Sequence, residues 1–212
     1  MDAQLYDPDL EVSSLFSRAL ETFKEHLWPT VGVFVIYSLL TSAGSIWGDD
    51  VGIGELIIFI VSGPITAGTY MYALRLIRGG EADLGEMLRG FQVFGKAFVV
   101  FALYSVMVVV GLIFLIVPGV YIAVALMPAM FLVLDDDLGA VETLQKAWEM
   151  TSGRRGRIFL VLLAIVGINI LGLLALVVGV IFTGALSLLI GAALYDELTR
   201  VYDLNHAMEP AQ

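Results

Sequence analysis

The chain has 212 residues, 59% of them hydrophobic, with a mean hydropathy of +0.91 and a formal net charge of −10. That composition excludes an ordinary soluble domain and places the chain in the membrane class, and the acidic balance argues against a nucleic-acid partner, whose phosphates need clustered Lys and Arg. The absence of cysteine removes any disulfide framework or thiolate metal site.

In chain order, residues 13–27 set Leu15, Phe16, Ala19, Leu20, Phe23 and Leu27 on one face at helical spacing, with Arg18, Glu21, Lys24 and Glu25 opposite. This predicts a helix lying in the membrane interface. Residues 28–47 carry no charge and are bracketed by Trp28 and Trp47, whose indoles favour the two edges of a bilayer, so they read as a first span with two interfacial anchors. The acidic loop Gly48-Asp49-Asp50 follows. Residues 55–77 supply a second span with Pro64 inside it, where a kink or late helix start is expected.

Asp83-Leu84-Gly85-Glu86 reads as a capping box for a second amphipathic helix bearing Leu84, Met87, Leu88, Phe91 and Phe94. Residues 97–117 form a third span, and Pro118-Gly119 marks a tight turn into a fourth that ends at Leu134. A third amphipathic helix places Leu138, Val141, Leu144, Trp148 and Thr151 on its buried side. Residues 158–198 are too long for one crossing and are expected to fold back near Val177 to Val180, giving spans five and six.

Two anchors align three parts of this series. Arg18-Ala19-Leu20, Arg89-Gly90-Phe91 and Lys146-Ala147-Trp148 share a basic, small, bulky order, and Pro64, Pro118 and Gly184 each lie nineteen residues before an Asp-Leu pair. The expected fold is therefore all-α, a polytopic membrane protein of six transmembrane helices arranged as three repeats (about 13–78, 84–134 and 138–204) of interfacial helix plus hairpin. All eleven Lys and Arg residues then fall on one side or at span ends facing it, which the positive-inside rule makes cytoplasmic together with both termini.

Candidate chemistry is sparse. Asp135-Asp136-Asp137 fits helix N-terminal stabilisation better than a cation site, because a hard cation needs several converging oxygens. Lys96, Lys146, Arg154, Arg155 and Arg157 are candidates for lipid headgroup contact, and Phe91 and Trp148 for interfacial anchoring. No ionisable residue sits near mid-span, which counts against an ion-coupled pump. Asn169, Tyr104 and Thr66 are the candidates to line a cavity between helices, Asn169 reading first as a helix-helix hydrogen bond. Gly172, Ala175 and Gly179 look like packing positions, and two isolated histidines make neither a metal site nor an acid–base pair. No catalytic residue, metal or cofactor is expected.

Pro118-Gly119-Val120-Tyr121, Met127-Pro128 and the stretch Thr143-Leu144-Gln145-Lys146-Ala147-Trp148-Glu149-Met150-Thr151-Ser152-Gly153-Arg154-Arg155 resemble the membrane domain of glycerophosphoryl diester phosphodiesterases and its stand-alone relatives, most sharply over residues 116–160. The family often has Ser where Ala147 stands, so no hydrogen bond is carried over from that position. The resemblance implies a membrane domain of six or more helices associated with lipid metabolism or envelope upkeep, and it transfers no catalytic residue. The expectation is a non-enzymatic protein of the inner, cytoplasmic membrane that interacts with phospholipids or acts as a scaffold. A separate protein partner or self-association is compatible with this, and the alternative is a transporter or channel for an apolar or amphipathic small molecule.

Overall fold

The computed structural model describes residues 12–42 and 52–208, and every regular element among them is helical. The helices are α1 (Val12–Glu25), α2 (Leu27–Ser42), α3 (Ile53–Ile77), α4 (Glu86–Arg89), α5 (Phe94–Phe114), α6 (Ile116–Ala125), α7 (Ala129–Asp135), α8 (Ala140–Met150), α9 (Arg155–Leu174) and α10 (Leu176–Met208). Five stretches are long and apolar enough to cross a bilayer: Gly54–Ile77, Glu86–Phe114, Ile116–Asp135, Arg155–Leu174 and Gly179–Ala207. The chain is a multi-pass membrane protein. The apolar helix α2 is shorter in its described part, and Trp47 and the Asp49-Asp50 loop lie outside the described residues.

The crossing helices divide into two kinds. In α3, in α6 with α7, and in α10, 56%, 56% and 61% of the most apolar window is buried, against 17% in α5 and in α9. The first three form the centre of the bundle, and the outer faces of α5 and α9 are left to the surrounding hydrocarbon. Around this centre α5 packs on α3, α2 on α10 and α9 on α6, while the shorter helices α1, α4 and α8 rest on α10, α3 and α7 respectively. Leu15, Ala19 and Phe23 are the face that α1 buries, as their spacing predicts.

Local chemistry moves several boundaries away from the sequence expectation. Pro64 sits inside a continuous α3 that begins at Ile53, so the helix does not start late. The second surface helix is a single turn, α4, followed by the 3₁₀ turn Gly90–Val93 and then α5 without a break. It buries Glu86, Met87 and Gly90 and turns Leu84, Leu88, Phe91 and Phe94 outward. The cause is a direct backbone-to-backbone approach. A Cβ on Gly68 would stand 2.1 Å from the Met87 carbonyl oxygen, and one on Gly90 would stand 1.9 Å from that of Pro64. Two glycines thus let the segment sit flush on α3, as small residues do where helices meet in membranes.

The hairpin turns are also displaced. Leu115, with extended backbone, is the turn between α5 and α6, and Pro118 lies in the first turn of α6, where a missing N–H costs nothing. Ala175, not residues 177–180, separates α9 from α10, and Gly172 and Gly179 face each other there so closely that neither tolerates a Cβ. The crossing expected as one helix from residue 118 to 134 breaks at Leu126 to Pro128, since proline disfavours helical backbone in the residue before it. In α8 the packed side is Thr143, Leu144, Ala147, Met150 and Thr151, with Val141 and Trp148 outward. Thr151 Oγ1 donates to the Ala125 carbonyl at 2.9 Å and fastens the end of α8 to α6.

Gly68→Ala is expected to destabilise the protein by about 1–3 kcal/mol through overpacking against Met87. Gly167→Ala, where a Cβ meets nothing within 4 Å, is expected to be neutral or to stabilise slightly by helix propensity. Unfolding in mixed micelles compares the two.

Candidate functional site

At the centre of the bundle the helices enclose a cavity of about 530 Å³. Its wall combines Phe34 and Tyr37 of α2, Thr66, Thr69 and Tyr70 of α3, Phe101 and Tyr104 of α5, Met127, Met130 and Phe131 from the break and α7, Asn169 of α9, and Gly184, Ser187 and Gly191 of α10. Thr66, Tyr104 and Asn169 are therefore brought together on one surface, although they lie on three different helices. Small residues explain why there is space. Thr66 and Ser187 put short side chains on the wall, while Gly184 lets the Phe34 ring pack directly on α10, a Cβ there falling 2.1 Å from it.

The polar groups of the wall are partly committed to the protein. Asn169 Nδ2 donates to the Ile165 carbonyl at 2.9 Å and to Ser187 Oγ at 2.7 Å, and Thr183 Oγ1 donates to Asn169 Oδ1 at 3.2 Å. Asn169 thus joins α9 to α10. Ser187 Oγ donates to the Thr183 carbonyl at 2.7 Å, Thr69 Oγ1 to the Ile65 carbonyl at 2.8 Å, and the Tyr37 and Thr66 hydroxyls lie 3.5 Å apart. No residue lining the cavity is a carboxylate, a lysine, an arginine or a histidine.

One end of the cavity is closed by a stack of rings and, beyond it, by a layer of charge. Tyr70 and Phe131 stack with centroids 4.5 Å apart, and Phe131 and Tyr195 at 4.8 Å. Tyr195 Oη donates to Asp135 Oδ2 at 2.8 Å. The same carboxylate receives both terminal nitrogens of Arg78, at 2.6 and 2.9 Å, while Arg78 Nε donates to Asp196 at 3.0 Å. Arg18 donates to the other Asp196 oxygen at 2.7 Å and to the Ile77 carbonyl at 3.2 Å. The ends of α3, α7 and α10, and α1 beside them, are clasped by one ion-pair network. The hydrogen bond to Asp135 and the charges of Asp135 and Asp196 raise the Arg78 pKa against the opposing effect of burial.

The remaining candidates sit around this charged end. Lys96 Nζ donates to the Asp136 carbonyl at 2.6 Å and Lys146 Nζ to the Asp136 carboxylate at 2.7 Å, so both converge on one residue. Burial works against the Lys146 charge, but the bond to Asp136 outweighs it and raises its pKa. The Arg155 guanidinium lies 4.0 Å from the Trp148 ring centroid and 4.8 Å from that of Tyr121, and it donates to the Tyr121 hydroxyl and the Trp148 carbonyl. Arg154 and Arg157 flank it at the start of α9. Trp28 is 73% exposed with its edge toward Phe182, and Phe91 is half-exposed beside Phe94.

The acids differ from their expected role. Asp135 and Asp136 are ion-paired, and the N-terminus of α8 is capped by Glu142, which accepts from the Gly139 amide at 2.8 Å. Glu86 likewise does not cap: it bridges Arg75 and Arg89 at 2.5 and 3.2 Å. Sequence reasoning passed over Asp196 and Tyr195. Helical spacing carried the signal, because Asp196 follows Leu189, Ala192 and Ala193 on one fully buried stripe. Compared with protein-family models, with curated proteins and with solved structures, the chain matches none.

Arg78→Gln is expected to cost about 2 kcal/mol, since it leaves two largely buried carboxylates short of their main donor. Arg200→Gln, whose side chain is 59% exposed and only 3.4 Å from Asp196, is expected to cost less than about 0.5 kcal/mol. Thermal unfolding in detergent at one ionic strength measures both.

Proposed function

We propose that the protein is a non-enzymatic, lipid-interacting component of the cytoplasmic membrane that holds an uncharged amphipathic molecule in the cavity between three structural repeats. The cavity carries this reading: it draws its wall from helices of all three proposed repeats and, among the described residues, offers hydrogen-bonding groups without an Asp, Glu, Lys, Arg or His. A charged ligand would lose its hydration there and gain no countercharge, whereas an apolar body with a few polar atoms would match the wall.

The repeat arrangement is supported by the pattern of packing. Each surface helix, α1, α4 and α8, lies on the inner crossing of the preceding unit, with α1 closing the ring on α10. Each outer crossing does the same, α2 on α10, α5 on α3 and α9 on α6. In this reading α2 belongs to the sixth span. The charged end faces the cytoplasm by the positive-inside rule, and Lys96, Lys146, Arg154, Arg155 and Arg157 lie at headgroup depth within reach of phosphate, Trp148 and Phe91 anchoring beside them. The resemblance of residues 116–160 to the phosphodiesterase membrane domain supports a setting in lipid metabolism or envelope upkeep. Between scaffold and carrier, the open centre favours a protein that binds, and can pass on, a membrane-soluble solute.

Single cysteines introduced into this cysteine-free chain test the orientation. Ser152→Cys is expected to react with an impermeant thiol reagent only from the cytoplasmic side and Leu115→Cys only from the other. The reverse pattern would overturn the topology. Native mass spectrometry of gently delipidated protein tests the ligand: a retained neutral species is expected in the parent protein and is expected to be lost in Thr66→Phe, which fills the cavity. Retention indifferent to that substitution would place the molecule elsewhere.

A further inference from the structure

We infer that the cavity takes a planar ring bearing carbonyl acceptors, the chemistry of a quinone headgroup, a deepening that rests on the proposed reading of the same site. The argument begins with which hydrogen-bond donors on the wall are spent. Both N–H groups of Asn169 are used, on Ile165 and Ser187, and the hydroxyls of Ser187 and Thr69 go to the backbone of their own helices. Tyr37 and Thr66 share one weak contact.

Besides whichever hydroxyl of that pair does not donate, two further donors belong to the wall: Tyr70 and Tyr104 line the cavity, and neither hydroxyl has a hydrogen-bond partner among the described residues. Tyr70 belongs to α3 and Tyr104 to α5, so the two donors come from different helices and call for acceptors at two points of one ligand. Carbonyl oxygens on either edge of a ring meet that demand. A fatty chain does not.

The shape of the wall points the same way. Phe34, Tyr37, Phe101 and Phe131 surround the donors with ring faces and edges, which select flat partners through offset or edge-on contacts. Met127 and Met130 supply adaptable thioethers on one side, suited to ring substituents of uneven shape. The lack of charge excludes ring compounds carrying phosphate or carboxylate, and the volume of about 530 Å³ lies within the range of sites that enclose a drug-sized molecule. A diacylglycerol shares the acceptor carbonyls and the neutrality but not the ring, and is the comparison that discriminates.

Isothermal titration of the purified full chain in detergent with decylubiquinone and, separately, with dioctanoylglycerol tests this. The expected result is saturable one-site binding of the quinone, at least about tenfold tighter than the glycerolipid, weakened about fivefold by Tyr70→Phe or Tyr104→Phe and further by the pair. Both substitutions keep the ring, and a melting temperature close to that of the parent shows that the fold is kept. Saturable binding of dioctanoylglycerol without the quinone overturns the quinone assignment and leaves the cavity reading standing. Quinone binding unmoved by either substitution overturns the assignment as well. Saturable binding of neither probe sinks both.

Discussion

The fold depends on drawing three apolar helices together at one end by ion pairs. Among lipid tails, burying one more leucine gains little, so helices find their register through close packing of small residues and through polar ties. Arg78 supplies the tie. It uses its whole planar fork, two nitrogens on Asp135 and the third on Asp196, to join residues 57 and 118 positions apart. A lysine, with one point charge, could hold only one of these partners in that geometry. Because Asp135 and Asp196 are 16% and 9% exposed, neither carboxylate can turn to solvent instead, and the register of α3, α7 and α10 follows from satisfying both.

Clasping the ends has a consequence for the middle. Above the ion pairs, Tyr195, Phe131 and Tyr70 form a continuous stack, each ring from a different central helix. That stack sets the helix spacing at the width of aromatic rings just where the neighbouring turns carry the short side chains of Thr66 and Ser187 on the cavity wall. Wide spacing with small side chains leaves a void. The cavity is thus a product of the clasp and of the residues above it together, and its polar lining is what keeps it from being merely a packing defect.

Most of the helices were legible in the sequence because uncharged runs and helical periodicity report the solvent that each face meets. The buried face of α1 followed from that kind of signal, and Gly172 and Gly179 read as packing positions; Thr66, Tyr104 and Asn169 stood out only as polar residues within the spans. The failures share a cause. The face of α8 was assigned on the assumption that apolar residues turn inward, which holds when the outside is water. At a membrane interface Val141 and Trp148 lose little by facing out, while Ala147 takes the buried position. The acids were read as local caps for a related reason: sequence neighbours are visible in a chain, whereas Arg78, Asp135 and Asp196 become neighbours only once three helices stand side by side.

The same geometry separates two uses of charge that composition alone merges. One-sided placement of Lys and Arg reads first as a topological signal, yet Arg18, Arg78, Lys96, Lys146 and Arg155 each have protein partners within hydrogen-bonding distance. Their charges are largely spent on holding helices in place, so any grip on phosphate comes from donors left over and is secondary in energy to the clasp. The uncharged centre has the opposite character. Nothing in the packing of the helices requires the hydroxyls of Tyr70 and Tyr104 to face a void, and phenylalanine at both positions would keep every ring contact. Polar atoms that do no structural work in the helix packing are the feature on which the proposed ligand rests.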